Sequence, residues 1–498
     1  MIGNHGENAC IPVNTDGDVC LNNSILMKKN ITAALLLTSN IVFAQHQELT
    51  EKPGIYKGNQ VHTEDSASVL SAFKRGHFNG HFRYFFMSIQ NQKGLTDYYA
   101  NAAGGGIRFE TAKFHGFQFA VSGFYTFNIG SSDLGKADNT TGQTNRYEIG
   151  LFDVEDPYNK TDNDRLEELF LKYSNKKSFI VFGKQLINTP FINLQDGRMR
   201  PTGVEGFWLE INEFKKIKIE GGWLYSISPR GTTKWFGVGE SVGVYPVGVD
   251  ITGAKSQYAS NVESKGLLLL GTHFAIGEKI KLHGWDLFTE NVFNTAMLQA
   301  DLSFLLNGNE SIFASAQVIR QDAVNNGGNE NSTLTYFEKR GKSITFGAKA
   351  GWKNKQWEAG INYNRITASG RYLMPREWGR EPFFTYLPRE RNEGFGDVHA
   401  FMGKVNYDLP KIRIKTSLAA GYYMLPDIKD FRLNKYGLPS YIQLNADIRY
   451  SFNKVLEGLD AQLLIVGKIR NGETYNNKKF EFNKVDLVHY SFVLNYHF

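Results

Sequence analysis

Residues 486–498 read DLVHYSFVLNYHF. Val488, Tyr490, Phe492, Leu494, Tyr496 and Phe498 are apolar or aromatic, and His489, Ser491, Val493, Asn495 and His497 between them are mostly polar. Strict alternation marks a strand with one oily and one wet face. The pattern recurs upstream. In 77–89, HFNGHFRYFFMSI, one face carries Phe78, Phe82, Tyr84 and Phe86, and the other His77, Asn79, His81 and Arg83. In 116–129, GFQFAVSGFYTFNI, Phe117, Phe119, Val121, Gly123, Tyr125, Phe127 and Ile129 alternate with residues that, Phe124 apart, are small or polar. Similar segments at 100–112, 164–175, 177–187, 203–213, 216–227, 262–276, 279–288, 295–306, 310–321, 341–353, 356–367, 397–408, 411–423, 440–452 and 459–470 bring the total to roughly eighteen. Those at 164–175 and 177–187 carry apolar residues on both faces.

The connections alternate too. KFHG (113–116), SNKK (174–177), EFKK (213–216), GEK (277–279), NGNE (307–310), KNKQ (353–356) and DLPK (408–411) are minimal. Between them lie long gaps at 130–163, 228–261, 322–340, 368–396, 424–439 and 471–485. Short turns on one side and long loops on the other define an up-and-down barrel in an outer membrane. A soluble sandwich or propeller has no reason to sort its loops by parity. In lipid only a closed barrel of strands pairs every backbone polar group. The expected fold is therefore all-β, a transmembrane antiparallel barrel of about eighteen strands. Aromatics near segment ends (Trp223, Tyr225, Trp352, Tyr422, Tyr450, Phe452, Tyr496, Phe498) suit girdles at headgroup level.

Composition agrees. The 498 residues are 41% hydrophobic with a mean hydropathy of −0.36, yet 14% are aromatic, including 37 Phe and 24 Tyr. A polar chain rich in Phe, Tyr and Gly suits strands with an aromatic surface better than membrane helices. The 56 basic and 50 acidic residues leave a net charge of +6, too little and too dispersed for nucleic-acid binding.

From Met27 the chain reads MKKNITAALLLTSNIVFAQ, two lysines, an apolar run and Val42-Phe43-Ala44, the form of a secretory signal cleaved after Ala44. The expected organisation is an upstream extension at 1–26 ahead of a true start at Met27, a signal peptide at 27–44, a polar periplasmic leader at 45–76 and a barrel at 77–498. Cys10 and Cys20 both precede the signal, so the mature chain has no thiol, disulfide or Cys-based metal site.

Residues 179–211, FIVFGKQLINTPFINLQDGRMRPTGVEGFWLEI, resemble the third-loop region of OprD-type outer-membrane porins, on Asn188, Thr189, Pro190, Asp196, Arg198, Pro201, Glu205 and Gly206. The opening GHFRYFFM and the final strand ending on Phe498 are similar to that family as well. The resemblance implies an 18-stranded barrel whose third loop folds inward to an eyelet, with a ladder of basic residues guiding carboxylate-bearing solutes such as amino acids. It is motif-specific only over about 179–225, and the diverged loops leave the solute open. Asp196, Arg198 and Arg200 are the candidate constriction residues. Their alternative role is internal, since a loop inside a barrel needs paired polar groups.

With the oily faces toward lipid, Arg83, Arg413, Lys415, Arg449, Lys468 and Arg470 point into the lumen as a basic arc on neighbouring strands. Such an arc raises the local anion concentration, unless Asp447 and Asp460 offset it in a generally polar lumen. Loop 368–396 mixes five arginines with four glutamates and several aromatics. It reads as a solvated surface loop, with a lid over the mouth as the alternative.

Catalytic and metal patterns do not assemble. His77 and His81 lie about 13 Å apart on a strand, too far to share a metal. LFDVEDPYNKTDNDR (151–165) lacks the spacing of a calcium loop. Gly104–Gly106 fall inside a strand pattern, where close packing explains them better than phosphate binding. No cofactor and no catalytic residue is expected. The function so read is passive, moderately selective diffusion of small hydrophilic solutes. The alternatives are a channel for small oligosaccharides or a non-conducting adhesin or structural barrel. The expected partners are the solutes, outer-membrane lipid and the barrel-assembly machinery, with a homotrimer as the assembly. Phe498 serves as an assembly signal.

Overall fold

The computed structural model describes residues 65–159, 163–195 and 197–498. Among them, eighteen antiparallel strands of 8 to 14 residues and one two-residue strand form a single sheet that closes on itself. In chain order these are β1 (His77–Gln90), β2 (Tyr98–Glu110), β3 (Phe117–Asn128), β4 (Asp164–Asn175), β5 (Ser178–Gln185), β6 (Gly203–Ile211) and β7 (Ile217–Ser228). The short β8 (Phe236–Gly237) follows, then β9 (Leu267–Ile276), β10 (Ile280–Thr289), β11 (Phe293–Leu305), β12 (Ser311–Ala323) and β13 (Lys342–Lys353). The ring is completed by β14 (Trp357–Ile366), β15 (Val398–Leu409), β16 (Ile414–Met424), β17 (Tyr441–Ser451), β18 (Leu459–Arg470) and β19 (Leu487–His497). Each long strand pairs with those before and after it. β8 hangs from the end of β7, β7 joins β9 directly, and β19 returns to β1. The upstream extension, the signal peptide and all but the end of the leader lie outside the described residues.

The terminal strand closes the seam. Phe82 stands opposite Tyr496, Tyr84 opposite Leu494 and Phe86 opposite Phe492. Gly80 and Phe498 then exchange N–H···O bonds of 2.8 and 3.1 Å. A Cβ at residue 80 would sit 2.0 Å from the tip of the Phe498 ring, so any larger residue there displaces that ring. Phe82, Tyr496 and Phe498 are exposed on the outer face, while Met87, His489 and Ser491 are buried inside. The Gly104–Gly106 run is a close-packing site, its backbone pressed against Phe82 and Phe124.

Turns sort by side. At one rim they span 111–116, 176–177, 212–216, 277–279, 306–310, 354–356, 410–413 and 452–458. The opposite rim carries 129–163, 186–202, 229–266, 324–341, 367–397, 425–440 and 471–486, together with the shorter 91–97 and 290–292. A register shift at Ser122/Gly123 pairs Ser122 with Glu168 and Gly123 with Leu166, leaving Glu167 unopposed in a bulge. Glu167 and Glu168 are consequently both buried inside, which accounts for the broken alternation in 164–175.

The lumen is not uniformly polar. Inward residues Val204, Leu224, Leu269, Leu287, Met297, Ile319 and Met402 pack in one apolar cluster with Phe191, Ile192, Tyr372, Trp378, Phe383 and Phe395 from the loops. Loop 367–397 is therefore no solvated surface loop. It is buried over nearly its whole length, and its Leu373 N–H, Pro382 O and Pro388 O bond side chains of β12 and β17. Each large apolar side chain so buried contributes roughly 1.5–3 kcal/mol. Its arginines are held inside the barrel: Arg376 pairs with Glu393 at 2.6 Å, Arg371 donates to the Val249 and Asp250 carbonyls, and Arg391 donates to Arg376 O at 3.0 Å.

At the end of the leader, a short helix α1 (Val69–Lys74) is capped by Ser68, whose Oγ accepts from Ser71 N–H at 3.2 Å. It lies along turn 111–116, with Ala112 N–H donating to Ala72 O at 3.1 Å.

Candidate functional site

Among the described residues, two cavities lie within the barrel. The loop-side cavity, about 1140 Å³, is bordered by loops 129–163, 186–202, 229–266, 367–397, 425–440 and 471–486. Its charged lining is lopsided. Among the described residues, Arg198, Arg230, Arg389 and Arg391 are joined by Arg146, Arg376, Lys255 and Lys484, against the single carboxylate of Glu390. The turn-side cavity, about 570 Å³, reverses the balance, with Glu110, Glu167, Glu168, Glu210 and Glu220 against Arg108, Lys172 and Lys218.

Loop 186–202 touches both. Gln195 and Arg198 line the loop-side cavity, whereas Asn188 and Leu194 line the turn-side one. Gln195 takes bonds from Arg230 and from Arg391 Nη2, the latter at 3.0 Å, and also contacts the Tyr386 hydroxyl. Asn193 is clamped by loop 367–397, donating to Arg380 O at 2.9 Å and accepting from its N–H at 3.1 Å.

The sequence-derived residues separate into distinct roles. Arg198 faces the loop-side cavity, and its backbone carbonyl accepts from Arg83 Nη1 at 2.7 Å. Burial, with Arg389 alongside, lowers its affinity for a proton to a pKa of about 10, so it stays charged at neutral pH. Arg200 does not border that cavity. It is 2% exposed and donates to Asn163 O and Thr232 O at 3.2 and 2.9 Å, pegging two loops together. Asp196 lies outside the described residues.

The basic arc is not a single ladder. Arg413 sits in turn 410–413, exposed, and bonds Phe452 O at 3.2 Å, so the inward position expected for it on a strand is corrected. The turn's left-handed φ of +57° at this residue takes it out of the ladder. Lys415 stands half-exposed, 3.6 Å from Asp408, and Arg449 pairs with Asp447 at 3.1 Å. Arg83 is buried against Asn495 at 2.7 Å. Lys468 and Arg470 lie at the other end of the wall, bonded to Glu390 and Glu481 at 2.9 Å each. Gln462, opposite Arg449, and Lys468 are six residues apart on β18, about 20 Å of strand.

Sequence reasoning missed the cations that crowd the loop-side cavity. Arg146, Arg230, Arg376, Arg389, Arg391 and Lys484 come from four different loops, and no spacing links them. The available signal was loop 367–397, whose aromatic and Arg/Glu-rich composition suits an interior strap. Glu390 is its tether. It meets Lys468 Nζ at 2.9 Å, Arg146 Nη2 at 3.0 Å and Arg376 Nη1 at 3.8 Å, and its side chain is 1% exposed. Burial alone would raise its pKa, but Arg146, Lys468 and Arg376 together hold it well below the carboxylate range.

Lower on the wall, a polar chain crosses four strands. Glu220 meets His273 Nε2 at 2.7 Å, His273 and His283 share an Nδ1–Nδ1 contact of 2.6 Å, and His283 Nε2 meets Asp301 at 3.1 Å.

A closed barrel with minimal turns on one rim, long inward-packed loops on the other and a cation-lined cavity defines an outer-membrane porin. Residues 141–351 match the model of the outer membrane porin, OprD family, so the resemblance drawn on Asn188–Gly206 is shown. Over that stretch, less than half of the chain, it is similar to the OprD porins, a class of channels rather than enzymes, and its fold is that of an outer-membrane β-barrel. No curated protein sequence matches the chain. Among solved structures it is similar to Pseudomonas aeruginosa OccK9 (OpdG), with a TM-score of 0.67 and 13% identity over 86% of this chain and 99% of that one. Acinetobacter baumannii OccAB4 gives 0.65 and 14% over 85% and 98%. Pseudomonas aeruginosa OpdK with vanillate gives 0.63 and 12% over 86% and 99%.

Proposed function

We propose that this porin passes small hydrophilic solutes by passive diffusion and favours anions, among them carboxylate-bearing amino acids and short peptides. The observation that carries this is the loop-side cavity, lined among the described residues by eight basic side chains and one acidic. In a narrow, low-dielectric passage such a lining concentrates anions and speeds their entry. Loop 186–202 is the constriction in this reading, with Arg198 as its solute-facing cation and Arg200 as its structural peg. Lys468 and Arg470, each paired with a carboxylate, add little to that field. OpdK's vanillate is itself a carboxylate. The same reading includes export through 27–44, insertion by the barrel-assembly machinery with Phe498 as signal, and a homotrimer in the membrane.

Planar-bilayer recording under a salt gradient tests it. The expected result is a channel with anion-selective reversal potential, and a lower anion-to-cation permeability ratio in Arg198→Ala and Arg230→Ala. A folded barrel without current would overturn the proposal. It would favour a non-conducting adhesin or structural barrel, a reading supported by the apolar packing of the loops inside the lumen. Liposome swelling with amino acids, short peptides and sugars separates anion passage from an oligosaccharide channel.

A further inference from the structure

Charge is distributed unequally between the two rims. The eight short turns hold ten lysines and arginines and four glutamates, while the nine opposite loops hold 23 basic and 25 acidic residues. Seven of the eight turns carry at least one cation, all exposed except the half-buried Lys113. Apolar tips stand beside them. Val455 is 96% exposed, and Phe214, Leu306, Ile412 and Leu456 project from their turns as well. A turn facing only water gains nothing from presenting such side chains.

Helix α1 belongs to the same rim. Val69, Leu70 and Phe73 are exposed, and the Phe73 ring lies 6.0 and 6.3 Å from Phe109 and Phe119, outward residues of β2 and β3. Its apolar face is thus continuous with the lipid-facing belt, and Lys74 and Arg75 follow at its end. Interfacial segments that combine an apolar face with lysine or arginine bind anionic bilayers by both terms.

We infer that the short-turn rim, with α1 laid against it, is a collar for anionic phospholipid headgroups. The apolar tips enter the acyl boundary, and the ammonium and guanidinium groups meet the lipid phosphates. The collar follows from the barrel sitting in a membrane and is independent of what passes through it, so a non-conducting barrel would leave it intact. One basic residue at an anionic surface changes lipid affinity on the order of fivefold.

The test uses the full chain in phosphatidylcholine bilayers containing spin-labelled phosphatidylglycerol or phosphatidylcholine, with electron paramagnetic resonance reading the motionally restricted lipid. The expected result is a several-fold preference for phosphatidylglycerol, falling by more than half in Lys176→Gln/Lys177→Gln/Lys215→Gln/Lys216→Gln. A loop-side variant, Lys478→Gln/Lys479→Gln, should keep the wild-type preference. If the fourfold variant does not fold, Lys411→Gln/Lys454→Gln serves in its place. Equal retention of the two lipids by the wild type, or the same loss in the loop-side variant, would overturn the collar. So would abolition of the preference by 20 mM inorganic phosphate (about twice a typical buffer level), which would assign the rim to the free anion.

Discussion

Replacing Glu390 by Gln should release the strap that loop 367–397 lays across the lumen. The carboxylate is 1% exposed and faces Lys468, 0% exposed, at 2.9 Å, with Arg146 at 3.0 Å and Arg376 at 3.8 Å. Gln keeps the shape and removes the charge, leaving Lys468 buried without compensation. Breaking a buried pair from one side costs about 3–5 kcal/mol, which loosens the strap locally around residue 390 while its apolar residues stay packed. The expected outcome is a larger and noisier single-channel conductance, with faster proteolytic nicking near Arg389. A double variant, Glu390→Gln with Lys468→Met, removes both partners and should recover much of the loss, because no orphan charge remains. The pH sign follows from the lowered pKa of Glu390. Its contribution is complete above the ordinary carboxylate value of about 4.3 and is lost only as pH falls through the lower folded value. The wild-type strap therefore holds at neutral and mildly acidic pH, while the variant is loose throughout. Wild-type conductance in Glu390→Gln, or damage in the double variant equal to the sum of the singles, would refute the tether.

Other outcomes follow from neighbouring groups. Burial raises the Glu381 pKa to about 7 despite Arg391 and the Asn392 N–H bond of 2.8 Å, so stability is full below about pH 4.5 and declines as pH rises through 7. Glu381→Gln should flatten that decline, worth on the order of 3 kcal/mol in thermal or denaturant unfolding. An unchanged pH profile would count against it. Lys484 lines the loop-side cavity and is lowered to about 7 by burial and by Arg146, so it gains charge as pH falls through neutrality. Anion selectivity should rise from pH 8 to pH 6, and Lys484→Gln should abolish the change in reversal potential. Arg200→Ala strands Thr232 O, about 1–3 kcal/mol, and removes one of two donors to Asn163 O, which keeps the Thr126 N–H. It should lower the unfolding midpoint more than it alters selectivity, the reverse of Arg198→Ala. Deleting Phe498 removes two ladder bonds to Gly80 and the ring that covers it. Assembled barrel measured in outer-membrane fractions should fall, while channels that do assemble keep their conductance.

The wall of the barrel was legible because a period of two and alternating turn lengths are local properties of the chain. Phe82, Tyr496 and Phe498 declare their face by sequence alone, and β19 needs only β1 beside it to close the ring. Failure came where a backbone detail or a distant segment decided the matter. The bulge at Glu167 reverses one strand's inside and outside, and a single turn residue with φ of +57° takes Arg413 off the wall. The lumen was the larger loss. Val204, Leu269 and Met402 are inward yet apolar, which period-two logic reads as ambiguity and the structure explains by Phe191, Tyr372 and Trp378 packing on them from loops far away in sequence.

That same non-locality explains why the cations of the cavity went unrecognised while the wall cations were overrated. A basic residue on a strand has a fixed outlook, so Arg449, Lys468 and Arg470 were visible, but each lies within reach of a carboxylate that screens it. The loop arginines have no fixed outlook in sequence, yet the fold gathers Arg198, Arg230, Arg389 and Arg391 around one space with Glu390 committed elsewhere. Burying like charges together is costly unless something repays it, and here Gln195 and backbone carbonyls accept from the guanidinium donors without neutralising them. A site held in this way keeps its positive field available to a visiting anion. Selectivity in this barrel should accordingly respond more to Arg230 and Arg389 than to Arg449 or Arg470, and the ordering of those four alanine variants in reversal potential would expose a wall-based mechanism if it came out reversed.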